Sequence, residues 1–112
     1  MIEVDLILPI TRDWFDRIAS GEKKEEYREI KPYYTSRFYN ILGNEFGDVL
    51  HCQECSSSFI LMLRNGYSTK SPYLISEVYL SKGRGKPEWG APPREDVYIL
   101  HIEDILEINL AP

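Results

Sequence analysis

From residue 48 onward, this 112-residue chain places its apolar side chains in five short runs, at positions 48–52, 58–64, 73–80, 97–102 and 105–110. They are rich in Val, Ile, Leu and Tyr, and turn-formers such as Asn65 and Gly66 separate them, so they read as strands. The core must therefore form around a sheet. Upstream, residues 2–8 (IEVDLIL) begin with apolar and acidic residues in alternation and then turn fully apolar. They read as one more strand, closed by Pro9.

Two helices interrupt the strands. Trp14, Phe15, Ile18 and Ala19 recur at helical spacing, with Thr11 placed to cap, Asp13 and Asp16 in the early turns, and Gly21 suited to the left-handed residue that ends a helix. A second helix starts at Pro32 and gathers Tyr34, Phe38, Ile41 and Leu42 on one face before Gly43 and Asn44 stop it. The order β-α-β-α followed by strands predicts an α+β domain, a curled or closed sheet flanked by two helices. At this length one domain, residues 1–112, is expected. An apolar share of 43% with eight Tyr, four Phe and two Trp is a folding composition.

Thirteen Lys and Arg against eighteen Asp and Glu give a net charge of −5, so no global field attracts a polyanion. Nucleic-acid binding would have to use a local basic patch. The N-terminus lacks a basic leader, and the longest uninterrupted apolar run, residues 59–63, is too short to span a bilayer. A soluble cytoplasmic protein without a membrane partner is the expectation.

Between the helices lies GEKKEEYREIKP, residues 21–32, in which eight of twelve side chains are charged. As an extended strand it would put Lys23, Glu25, Tyr27 and Glu29 on one face and Lys24, Glu26, Arg28 and Ile30 on the other. If Lys23 belongs instead to the preceding turn, it leans over Glu26 and Arg28; spacing leaves both arrangements open. The stretch is either a salt-bridged exposed strand or the lining of a cleft. Further basic residues are Arg37 and the set Lys82, Arg84 and Lys86, which sits with Trp89 in a Gly/Pro-rich segment, residues 82–96. There phosphate contact and base stacking would be chemically natural, as would a plain solvated loop.

Other chemistry is poorly represented. HCQEC holds Cys52 and Cys55 beside His51, but zinc would require a further ligand such as the distant His101, so two reduced thiols and no metal are expected. No GxSxG, HExxH, P-loop or GxGxxG occurs, and no cofactor is anticipated.

The run WFDRIASGEKKEEYREIKPYYxxR, residues 14–37, resembles the signature of the ASCH domain family of the PUA-like superfamily. Its GxKxxExR pattern is matched by Gly21, Lys23, Glu26 and Arg28. LRNGY (63–67) and GKPEWGA (85–91) resemble the compact bacterial and phage members. The resemblance implies a small PUA-like β-barrel flanked by two helices and a cleft, lined by Lys23, Glu26 and Arg28, that binds RNA or a nucleotide. Arg37 and residues 82–89 are secondary candidates. Some relatives are amidohydrolases acting on 4-acetylcytidine through a Lys, a Thr and a Glu, and others are linked to ribonuclease activity. Here Lys23 matches the Lys, Glu26 stands where the Thr would be, and Glu77 is a weakly placed second acid, so Lys23 and Glu26 would be catalytic only in an enzyme. Thr69 and Ser71 fall in an unrelated loop. A third expectation is a protein-interaction module built on exposed Tyr33, Tyr34, Tyr39 and Tyr67.

Overall fold

In the computed structural model, which describes residues 2–50 and 57–110, the N-terminal apolar run becomes β1, Leu6–Pro9. The strand starts later than its pattern predicted. Asp5, just ahead of it, nevertheless ties to the neighbouring chain: its N–H donates to the Ile60 carbonyl at 2.8 Å, and its carboxylate accepts from the Ile60 N–H at 2.8 Å. Helix α1, Arg12–Ala19, follows and buries Phe15 and Ile18, with Trp14 packed at the margin. Thr11 occupies the N-cap position but makes no side-chain cap bond. Gly21 has the expected left-handed φ, 88°.

The charged stretch supplies β2, Glu25–Arg28, and Pro32 opens α2, Pro32–Leu42. Residues 48–50 belong to a helix, α3 (Phe46–Leu50), which a 3-10 turn at Gly43–Glu45 joins to α2. This corrects the strand expected over 48–52. Phe46 and Val49 are both buried while Asp48 is exposed, and a spacing of three residues places the two apolar groups on one helical face. Positions 51 and 52 lie outside the described residues.

Three strands complete the sheet: β3 (Ser58–Arg64), β4 (Tyr73–Arg84) and β5 (Asp96–Asn109). β4 runs four residues past its predicted end. The two final strands expected from sequence are one continuous strand, whose pairing with β4 shifts register between Ile75 and Ser76 and again between Glu77 and Val78. These irregularities let β5 carry Glu103 and Asp104 outward without breaking.

The strand order is β1-β3-β4-β5-β2, with β1 parallel to β3 and all other pairs antiparallel. β1 and β2 are thus opposite edges. Arg28 on β2 nevertheless donates from Nη2 to the Pro9 carbonyl at the end of β1, at 2.7 Å, so the sheet curls into a half-barrel whose edges meet through this side chain. Leu8, Leu61, Leu63, Leu74, Leu80 and Leu100 fill its interior. Helix α2 closes one side through Phe38, whose ring lies 5.0 Å from that of Tyr98 and 6.5 Å from that of Phe59. Among the described residues no helix is long and apolar enough to cross a membrane.

Candidate functional site

Because α1 ends at Ala19 and Gly21 turns the chain, Lys23 lies before β2 and its side chain can turn inward. Its N–H bonds the Arg17 carbonyl at 2.9 Å, which anchors this turn to the end of the helix. Of the two arrangements left open by spacing, Lys23 adopts the second. Nζ reaches the Glu26 Oε1 at 2.8 Å, and the other oxygen of that carboxylate accepts from Arg28 Nη2 at 2.7 Å. Glu26 and Arg28 project to the same side because they are two apart on a strand. One carboxylate thereby joins two cations. Lys23 is 2% exposed and Glu26 6%, so the stretch is a buried ion triad at a sheet edge, not a solvated salt-bridge ladder.

Aromatic rings box in the ammonium. Lys23 Nζ lies 4.2 Å from the Trp14 ring centroid and 5.5 Å from that of Tyr27. Burial pushes the Lys23 pKa below the ordinary lysine range, and Arg28 and Arg17 add to the shift while Glu26 opposes it. Arg28 moves the other way: burial works against its charge, but Glu26 and the Tyr34 hydroxyl outweigh it and hold the guanidinium above its usual value. The Tyr34 contact is a 3.4 Å hydrogen bond from Nη1. Three of the five guanidinium donors are therefore committed.

Two recesses flank Tyr27. The narrower, about 80 Å³, is lined by Trp14, Lys23, Glu26, Tyr27, Trp89 and Gly90. The wider, about 430 Å³, lies between Tyr27, Arg28, Glu29 and Tyr34 on one side and residues 90–97 on the other. Glycine permits this closeness at two places. A Cβ on Gly85 would fall 2.5 Å from Tyr27 Cε1, and Gly90, with φ of 100°, would bring one within 2.9 Å of Trp14 Cζ2. The loop is fastened by the Lys86 N–H, which donates to the Tyr27 hydroxyl at 3.0 Å, while that hydroxyl donates to Glu25 Oε1 at 2.7 Å.

Burial and the Glu25 hydrogen bond raise the Tyr27 pKa above the ordinary phenol value. Since folding favours the protonated ring, the stability it contributes is complete below about pH 10 and is lost as pH rises beyond that. Denaturant unfolding at about pH 8 and about pH 11 should show a larger alkaline loss for the natural chain than for Tyr27→Phe; equal losses would disprove the assignment.

The secondary candidates separate in space. Trp89 borders the narrow recess, half-buried, and Lys86 places its ammonium 4.3 Å from the Trp89 ring centroid. Lys82 and Arg84 are strand residues of β4, not loop residues, and Arg84 pairs with Asp96 at 3.2 Å on an exposed surface. Arg37 lies on α2, stacked 3.5 Å over the Tyr33 ring with Nη1 donating to the Tyr33 carbonyl at 2.8 Å. It borders neither recess. Glu77 sits in β4, accepts from Ser58 at 3.1 Å and lines neither recess. His51, Cys52 and Cys55 lie outside the described residues. His101 is held by Ser81 at 2.6 Å and faces Glu25 at 3.7 Å.

The sequence reading missed Trp14, Tyr27, Glu29 and Glu95 as cleft-lining residues. Trp14 read as core because it shares the helical stripe of Phe15 and Ile18, and nothing local distinguishes a core ring from a cleft wall. Tyr33 and Tyr39 are 51% and 55% exposed and Tyr34 is half-buried, whereas Tyr67, 87% exposed, lies in the turn after β3. Three of the four tyrosines are therefore uncovered.

No family model, curated protein or solved structure matches the chain.

Proposed function

We propose that this is an ASCH-type, PUA-like domain whose cleft binds RNA, a nucleotide or a modified nucleoside. The observation that carries the reading is the pair of recesses meeting at Tyr27, with Lys23 and Glu26 at one and Arg28 at the other. Three residues of the GxKxxExR pattern, Lys23, Glu26 and Arg28, thus border space that a ligand could enter, and Gly21 lies outside it. Several features fit a nucleobase: the wider recess has the volume of an ordinary small-molecule site, its walls include Tyr27 and Tyr34, and Arg28 retains donors beyond those that hold Glu26, Pro9 and Tyr34. Trp89 lines the narrower recess and carries the Lys86 ammonium over its ring, a pairing suited to a stacked base and a phosphate.

A hydrolase of the same type is the second reading, favoured by one observation: the depressed pKa of Lys23 beside a small recess suits an amine acting as a base. Incubation with 4-acetylcytidine and with a labelled short RNA separates the two, with a Lys23→Ala variant whose fold is checked by circular dichroism as the control. Saturable binding without product is the expected result. Turnover that Lys23→Ala abolishes would replace the binding role by the enzymatic one.

A further inference from the structure

The wider recess has an electrostatic character that the motif does not convey. Its charged lining consists of Arg28, Glu29 and Glu95. Arg28 shares the single Glu26 carboxylate with Lys23, so that carboxylate offsets only part of the positive charge, while Glu29 and Glu95 are exposed at the rim. A phosphate entering here would face two carboxylates against one cation that already shares its charge with Glu26. An amino group would meet acceptors, and the remaining Arg28 donors can serve a ring carbonyl or ring nitrogen. The aromatic neighbours Tyr27 and Tyr34 suit a planar ring and tolerate positive charge on it.

We infer, building on the nucleobase reading above, that the wider recess admits an uncharged or cationic planar heterocycle bearing amino donors and discriminates against its phosphorylated form. Glu29 and Glu95 are the residues that set this selectivity. In a longer RNA the base enters the recess, and the backbone stays outside, towards Lys86.

The test compares each of the four common ribonucleosides with its 5′-monophosphate, titrated against the protein at low ionic strength and followed by Trp fluorescence and calorimetry. For every nucleoside that binds, the monophosphate should bind about threefold to tenfold more weakly, and added salt should narrow the gap. The double variant Glu29→Gln, Glu95→Gln should abolish the difference; both side chains are exposed, so the fold is not at risk. Monophosphates binding as well as or better than nucleosides would overturn the inference and leave the nucleobase reading standing. An undiminished gap in the double variant would overturn the role of the two carboxylates. If no nucleoside or monophosphate binds, the nucleobase reading falls, and the inference falls with it.

Discussion

Glu26→Ala should lower folding stability by about 3–5 kcal/mol, the usual cost of leaving a buried charge without its partner. The loss is expected to be large because one carboxylate serves both Lys23 at 2.8 Å and Arg28 at 2.7 Å, and Lys23 is almost wholly out of water. Against a typical domain stability of about 5–15 kcal/mol, the variant would be partly unfolded at modest urea concentrations. The triple variant Lys23→Met, Glu26→Leu, Arg28→Met makes the contrast. It removes all three charges at similar volume, so it should recover most of the loss, short of the Arg28 hydrogen bonds to the Pro9 carbonyl and the Tyr34 hydroxyl. It should also eliminate ligand binding. Denaturant melts of the single and triple variants check both statements, and a Glu26→Ala loss below about 1 kcal/mol would mean that the triad is solvated, as exposed ion pairs are. Recovered stability together with lost binding would be the signature of a site.

Phe38→Ala should cost about 3–5 kcal/mol by opening a cavity where α2 meets the sheet. Phe38 is fully buried, and its ring packs against those of Tyr98, Phe59 and Tyr34. Thr35, on the same helix, shares a 2.6 Å hydrogen bond with the Tyr98 hydroxyl, so the helix is held at adjacent points. Loss of the ring should loosen the start of α2 and with it Tyr34, whose hydroxyl accepts from Arg28. Ligand affinity should therefore fall along with the melting temperature. Phe38→Leu, which keeps most of the volume, should cost much less; equal losses from the two substitutions would point to a cause other than the cavity.

Much of the architecture was legible because burial leaves a periodic trace. β3 matches its predicted span, Ser58–Arg64, since its apolar run is bounded by a polar segment and by the Asn65-Gly66 turn. Pro32 and Gly43 bracket α2 as their backbone preferences require. Where runs were short, the same reasoning misread them. Residues 48–50 hold too few apolar positions to distinguish a period of two from one of 3.6, and packing of Phe46 and Val49 decided for helix. Glu103 and Asp104 looked like a break between two strands, but β5 passes through them because the pairing irregularities with β4 accommodate the extra residues. Lys82 and Arg84 looked like loop residues because glycines surround them, yet ladder bonds to β5 keep them in β4.

Local order alone determined that Lys23, Glu26 and Arg28 would follow a helix stop within a few residues of one another, with Glu26 and Arg28 on one strand face, and left open whether Lys23 would join them. It did not determine that they would be buried, or what would face them. That came from the curl of the sheet, which brings Arg28 to the Pro9 carbonyl across the two edges, and from the return of residues 85–97 over Tyr27. The physical reason is range. Helix caps and strand alternation act over a few residues, whereas desolvation of a charge and the enclosure of a recess depend on segments far apart in the chain, as Lys86 and Tyr27 are, 59 residues from one another.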